Sequence, residues 1–187
     1  MNRAIFLDRD GTLIAEKGYI CDLSEVEIFP FAFAAVRLMK AHHFHVIVVT
    51  NQSAVARGVC RPEQVENLHR FLREEFLKRE AVIERIYHCP YHAEGKIEAF
   101  KKVHPWRKPS PGMLLQAAAD FNIDLSHSYI MGDSLVDLQA GKQAGCKTVL
   151  VLTGKGGETE KKLEPVKLTP DLISPTILTA IKEITKR

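Results

Sequence analysis

Short apolar runs without polar alternation, each followed by a segment of helical periodicity, constrain this chain more than any other feature. Ala4-Ile5-Phe6-Leu7, Val46-Ile47-Val48-Val49, Tyr129-Ile130-Met131 and Thr148 to Leu152 are too short for helices and lack a polar face. They read as strands covered on both sides, with Ile83 to His88 a weaker one. Between them lie helical patterns. Pro30 to His42 spaces Phe31, Ala34, Ala35, Leu38 and Met39 on one face, and Pro62 opens a helix carrying Val65, Leu68, Phe71, Leu72 and Phe76. Pro111 to Phe121 and Ser134 to Ala144 follow, the latter stopped by Gly145. Strands alternating with helices specify an α/β parallel sheet flanked by helices. With no linker or repeat, residues 1–187 are expected to form a single domain. The polar, Lys/Glu-rich stretch Gly154 to Thr169 is expected to be a mobile loop before a closing helix near Pro175 to Lys186.

Composition narrows the classes. An apolar share of 45% and a charged share of 26% fit a soluble globular protein. The net charge of +3 comes from scattered basic residues, and only 7% of the chain is aromatic, so a nucleic-acid surface is not indicated. Such a balance suits an enzyme with anionic substrates. No apolar stretch approaches the roughly 20 residues that span a bilayer, and no signal peptide is visible. Cys21, Cys60, Cys89 and Cys146 have no short paired spacing. They are expected to be reduced thiols, which gives a cytoplasmic expectation.

The chemistry gathers where strands end. Asp8-Arg9-Asp10-Gly11-Thr12 follows the first strand, so two carboxylates can project from its carboxyl end, where ligands of open α/β sheets bind. A D-x-D-G word also resembles part of a calcium loop, but the further oxygen ligands and closing Glu are missing. Thr50-Asn51-Gln52-Ser53 ends the second strand, and Arg107-Lys108-Pro109 lies in a long loop. Gly132-Asp133 ends another strand, with Asp137 four residues later. Singly, each has an ordinary account: Thr50 or Asp133 as a cap, Lys108 as a solvated lysine. Together, in this order, they are far more specific.

The set resembles the four motifs of the haloacid dehalogenase superfamily of phosphotransferases, from about Ala4 to Leu152, and implies its Rossmann-like fold. The resemblance implies Asp8 as the nucleophile that takes the phosphoryl group and Asp10 as the acid, then base. It implies Mg²⁺ held by Asp8, Asp133 and the Asp10 backbone carbonyl, with Lys108 and Thr50 on the transferring oxygens. Asp137 would bind metal indirectly or orient Lys108.

Phe6 to Thr12, Thr50 to Ser53 with Ala56-Arg57-Gly58, and Arg107-Lys108-Pro109 with Pro111-Gly112-Met113 look like one subgroup. It contains heptose 1,7-bisphosphate 7-phosphatases and histidinol-phosphate phosphatases. Only 39 residues lie between Asp10 and Thr50 (residues 11–49), too few for a large cap. The two long loops, Gly11 to Phe29 and Cys89 to Ser110, would wall the site. By resemblance Glu16, Lys17, Gly18, Tyr19, Asn51, Gln52, Ser53, Arg107 and Ser134 would touch substrate, with Arg107 suited to a second phosphate. The heptose enzyme is the leading expectation, as a monomer serving lipopolysaccharide or related glycan precursors, without nucleic-acid or membrane partners. Histidinol phosphate or another small sugar phosphate is the alternative substrate.

Three departures stand out. The subgroup's zinc-binding Cys-x-His and Cys-x-Cys pairs are mostly replaced: Cys89 remains, Tyr91 stands at the His position, and His104 and Trp106 at the later cysteines. Tyr and Trp are not workable zinc ligands, so packing of Trp106 and Tyr91 is expected to hold the loop, an improvised zinc site from Cys89, His92 and His104, with His88 as a further ligand, being the lesser alternative. Ile14 replaces a usual Asn, and Ser134 a usual Lys. A phosphatase fold used only for binding, or a phosphate-responsive receiver domain, are the rivals. The full catalytic set argues against the first, and the later G-D-x-x-x-D against the second.

Overall fold

The computed structural model describes residues 1–186. Six strands, β1 (Arg3–Leu7), β2 (Phe44–Asn51), β3 (Arg85–Cys89), β4 (Tyr129–Gly132), β5 (Lys147–Val151) and β6 (Leu172–Ser174), form one sheet in the order β3-β2-β1-β4-β5-β6. Every pairing is parallel. The helices are α1 (Pro30–Ala41), α2 (Pro62–Leu77), α3 (Gly112–Phe121), α4 (Leu135–Ala144), α5 (Gly156–Leu163) and α6 (Ile177–Ile184).

Strand alternation sorts the core into two layers. Ile5, Leu7, Val46, Val48, Met131, Val149 and Val151 pack with residues of α1, α2 and α6. Ala4, Phe6, Ile47, Val49 and Ile130 pack on the other face with Met113, Leu114 and Ala117 of α3 and Ala140 of α4. A strand covered on both faces has no polar position to alternate, which is why the sequence shows continuous apolar runs. At about 25 cal/mol per Å² these fully buried Ile, Leu and Phe side chains are each worth about 2 kcal/mol. The chain first winds outward from β1 through β2 to β3, then returns to β4 on the other side. β1 is therefore the point where the winding reverses, and the crevice for a ligand opens at its carboxyl end.

Two expectations need correction. Residues 154–169 are not a loop throughout: α5 occupies Gly156–Leu163, and its buried Thr159 and Gly156 seat it against the body. The Lys/Glu-rich face concealed this short helix, because only one side of it is covered. The cysteines are not all reduced: Cys21 and Cys60 form a disulfide, with Cα atoms 5.4 Å apart, while Cys89 and Cys146 are free and buried. Their 39-residue separation in sequence hid a pairing that the fold makes by laying the first long loop against the turn after β2. Of the compartment expectation, one structural fact remains: among the described residues no helix is long and apolar enough to cross a membrane.

Candidate active site

β1 delivers Asp8 to the sheet edge, where its N–H donates to Met131 O at 3.0 Å, carrying the β1–β4 ladder one residue past the strand. Lys108 reaches the same point from the second long loop. Its buried ammonium has three donors, and all three are used: Val49 O at 2.7 Å, Asp8 Oδ1 at 2.9 Å and Asp137 Oδ1 at 2.5 Å. Burial opposes the charge, but Asp137 and Asp8 outweigh it and hold Lys108 above the ordinary lysine range. Asn51 fixes the backbone of Lys108 with both ends of its amide: Nδ2 donates to Lys108 O and Oδ1 accepts from Lys108 N, each at 3.0 Å.

Asp137 is the residue whose role the sequence left open. Its Oδ2 accepts from the Ser134 N–H at 3.1 Å and from the Ser134 hydroxyl at 2.5 Å, closing a capping box at the start of α4. Its other oxygen meets Lys108. Both oxygens are thereby committed, and the side chain is a buried strut between helix and lysine. Ser134, expected at substrate, is engaged in that strut.

Asp133 completes the acidic group. Carboxylate oxygens of Asp8, Asp133 and Asp137 lie within 4.8 Å of one another. Burial first, then the charge of Asp8, pushes Asp133 up to about 7 against the opposing Lys155 N–H at 2.8 Å. The backbone closes tightly around it. Gly11 has φ +75°, and a Cβ there would sit 2.0 Å from Asp133 Oδ2; one on Gly154 would sit 2.2 Å from the same atom. Only glycine permits both the turn and this approach. The Thr153 hydroxyl ties the two loops by donating to Gly11 O at 2.5 Å.

Asp10 has other partners than this acidic group. Arg9 Nη2 donates to both of its oxygens at 2.9 Å, and Gln52 Nε2 donates to Oδ2 at 2.9 Å. The same Gln52 amide nitrogen donates to Thr50 Oγ1 at 2.9 Å, linking the Asp10 and Thr50 side chains through one residue. Burial, ahead of the lowering by Arg9, raises the Asp10 carboxyl above its ordinary value.

A cavity of about 350 Å³ opens beside Asp10, lined also by Glu16, Gly18, Tyr19, Asn51, Gln52, Ser53 and Lys155. Six of the residues expected at substrate thus share one wall. Lys17 is not among them, since its ammonium faces Glu25 O at 3.3 Å and Glu27 at 3.0 Å. Glu16 accepts from Gly18 N at 2.9 Å and faces the Lys155 ammonium at 3.4 Å, so it shapes the loop as well as lining it. A larger groove of about 780 Å³ runs along α2 and β3, but it lies away from the converging carboxylates.

In the second long loop the rings of Tyr91 and His104 stack at 4.5 Å, and Trp106 meets Tyr87 edge-on at 5.9 Å. Lys102 lies over the Tyr91 ring at 4.1 Å. Cys89 is buried beneath, while His92 and His104 each accept a backbone N–H through Nδ1. Among the described residues these three do not converge as a ligand set. Arg107 Nη1 donates to Tyr91 O at 3.3 Å, which hangs this arginine on the packed loop.

Sequence reasoning missed Lys155, Arg9 and Gly154 and left Asp137 unassigned. The word Ser134-x-x-Asp137 carried a capping signal, and Thr153-Gly154-Lys155-Gly156 a turn signal; nothing marked Arg9 as structural.

A parallel sheet whose reversal point gathers a D-x-D turn, a strand-end threonine, a buried lysine and an acidic pair defines a haloacid dehalogenase-like hydrolase. Comparison with known proteins agrees. The family described as HAD-hydrolase-like matches residues 105–180. The D-glycero-beta-D-manno-heptose-1,7-bisphosphate 7-phosphatase of Escherichia coli (strain K12) is 42% identical over 153 residues, covering 81% of this chain and 80% of that one. The Chlorobaculum tepidum D-glycero-D-manno-heptose-1,7-bisphosphate 7-phosphatase is 34% identical over 185 residues, covering 96% and 92%. The crystal structure of D,D-heptose 1,7-bisphosphate phosphatase from B. bronchiseptica, complexed with magnesium and phosphate, superposes with a TM-score of 0.85 at 27% identity, covering 98% of each chain. The chain belongs to the heptose bisphosphate phosphatase family of the haloacid dehalogenase superfamily and is a phosphatase.

Proposed function

We propose that this phosphatase removes the 7-phosphate of D-glycero-D-manno-heptose 1,7-bisphosphate through an aspartyl-phosphate on Asp8, with Mg²⁺ as cofactor. The observation that carries the reading is the buried Lys108 pinned between Asp8 and Asp137, beside an Asp133 pushed up to about 7. Three carboxylates around one ammonium leave negative charge in excess, and a dianionic phosphate would add more. The residues present fit a hard divalent cation. Asp8 and Asp133 would hold it, with the Asp10 backbone carbonyl as the family implies, and Mg²⁺ would neutralise the facing anions when bound.

The residues then divide the work. An Asp8 oxygen attacks phosphorus, the P–O bond to the sugar breaks, and the leaving oxygen takes its proton from Asp10. A raised carboxyl suits that role, because it can carry the proton nearer neutral pH. Asp10 then takes a proton from the water that attacks the aspartyl-phosphate, and inorganic phosphate leaves. Lys108 neutralises charge at the Asp8 oxygen that it already contacts, and the Thr50 hydroxyl supplies a donor to the phosphoryl group.

The walls fit an extended anionic substrate. Lys155 from the loop after β5 adds a cation to the cavity that holds Tyr19 and Ser53. Arg107 would face the second phosphate. In this reading the aromatic stack of Tyr91, His104 and Trp106 holds the Arg107 loop, in place of the zinc site that the resemblance implies for the subgroup. Protein purified without added metal should contain less than about 0.1 equivalent of zinc, since a single unassembled Cys and two separated His make a poor site. The monomeric state belongs to the same proposal and is open to sedimentation. A cytoplasmic setting now rests on the substrate alone, the thiol argument having fallen with the Cys21–Cys60 bond.

The test is phosphate release with Mg²⁺ from both anomers of heptose 1,7-bisphosphate, histidinol phosphate and other sugar phosphates, with Asp8→Asn as control. A preference of at least about a hundredfold for one heptose anomer supports the reading. Equal turnover of all the phosphates, or preference for histidinol phosphate, removes the substrate assignment and leaves the chemistry.

A further inference from the structure

Arg9 is among the largest fully buried side chains in the protein, with 1% of its surface exposed. A guanidinium there must find acceptors on every edge. Nε and Nη2 meet Asp10, and Nη2 also donates to Gln52 Oε1 at 3.0 Å. The remaining edge, Nη1, meets Nε2 of His69 at 3.2 Å. His69 comes from α2 on the far side of the arginine from Asp10, and is itself buried.

Arginine only donates, so Nε2 of His69 must present its lone pair and the ring proton must sit on Nδ1. The neutral ring agrees with its surroundings: burial first, then Arg9 and His88, keep His69 well below the usual histidine range. The His88 ring lies edge-on at 4.9 Å, and Glu66 approaches His88 Nε2 at 3.6 Å. A line of contacts therefore runs from α2 through His69 and Arg9 to the carboxylate of Asp10.

We propose that His69 is a positioning residue for the reaction: by occupying the Nη1 edge of Arg9, it fixes the guanidinium fork that holds Asp10 in its proton-exchanging geometry. The inference rests on the reading of Asp10 as acid and base given above. Without an acceptor on Nη1, Arg9 has a buried unpaired donor. It would rotate to satisfy that donor and carry the Asp10 carboxylate with it. A shift of about 1 Å is enough to cost about a hundredfold in rate, and a partial rearrangement correspondingly less.

The test compares His69→Phe, which keeps a ring and removes the acceptor, with His69→Gln, whose amide oxygen can replace Nε2. First-turnover phosphoryl transfer is followed with heptose 1,7-bisphosphate, whose sugar oxygen needs a proton to leave, and with p-nitrophenyl phosphate, whose leaving group does not. We expect His69→Phe to slow the sugar phosphate about tenfold, with KM within about twofold, and the aryl phosphate less than threefold, with His69→Gln near wild type. Equal losses on both substrates would show a merely structural role and overturn the inference, as would wild-type rates in His69→Phe or a failure of His69→Gln to restore the rate. If His69→Phe does not fold, His69→Thr, too short to reach Nη1, carries the same comparison. Asp10→Asn separates the two levels: loss there with none in His69→Phe sinks this inference alone, while wild-type activity in Asp10→Asn sinks the reading of Asp10 and this inference with it.

Discussion

The floor of the site and its walls are made of different materials. The floor, at the ends of β1, β2 and β4, consists of buried and half-buried charges that satisfy one another: Lys108 against Asp8 and Asp137, and Arg9 against Asp10. The walls are long loops with little regular structure. Each is held by a tie remote from the chemistry, a disulfide for residues 11–29 and a ring stack for residues 89–110. On the proposed function the floor is constrained by the reaction, because Asp8, Asp10 and Lys108 serve as structural partners and as chemical groups at once. The ties of the walls have only to hold a shape, so they can be exchanged for others.

If that division is right, substitutions in the floor should damage chemistry and fold together, and substitutions in the walls should damage substrate binding or stability alone. The largest effect is expected from Asp8→Asn, which should lower kcat by at least roughly a thousandfold in a phosphate-release assay and also lower the melting temperature, since the buried Lys108 loses a charged partner. Retention of more than a tenth of the activity would remove Asp8 from the role of nucleophile. Asp137→Ala should come next. It leaves the buried Lys108 with one carboxylate fewer, at about 3–5 kcal/mol of stability, and should lower the melting temperature by about 10 °C as well as kcat. A fall in kcat with an unchanged melting temperature would mean that the floor is not one unit.

In the first wall, Cys60→Ser should cost about 2–4 kcal/mol through the freed loop, and wild-type protein in reductant should melt with the variant. kcat should stay within about threefold, since the bond touches no reacting group; a large fall in kcat would erase the distinction between wall and floor. In the second, Trp106→Ala removes the edge contact with Tyr87 and should cost about 1–2 kcal/mol, raising KM several-fold through Arg107. Chelators specific for zinc should leave both wild type and variant unchanged.

The smallest effect concerns the back of the floor. His69 is held well below its ordinary value of 6.5. The unfolded chain therefore takes up this proton first as the pH falls, so the contribution of His69 to stability is full above about 6.5, declines below it, and is gone only past the depressed folded value. Chemical denaturation at pH 7.5 and 5.5 should show His69→Gln losing about 1 kcal/mol less than wild type between the two.

Much of this was legible in the chain. The strand-helix alternation appears as apolar runs because strands covered on both faces leave no polar position, and a run of four such residues has few other uses. Asp8, Thr50 and Asp133 stand at or beside strand ends, Lys108 follows in the second long loop, and their order along the chain is independent of how the loops lie. The resemblance to the subgroup also singled out Glu16, Gly18, Tyr19, Asn51, Gln52 and Ser53, which share one cavity.

What the sequence could not supply were relations between distant segments whose residues have several ordinary uses. Cys21 and Cys60 look like solitary thiols until two loops are laid side by side. Lys17 and Tyr19 are near neighbours on one loop, yet one faces Glu27 and the other the cavity, a choice made by local turns. Arg9 reads as a spacer between two aspartates, and His69 as one more residue of an amphipathic helix. Only the packing of α2 against the end of β1 places a neutral imidazole at the one edge of a buried guanidinium that still needs an acceptor. Local pattern determines which elements form and what they carry to the sheet edge; burial decides which of those groups must pair, because a charge removed from water has to find its partner wherever the fold has put one.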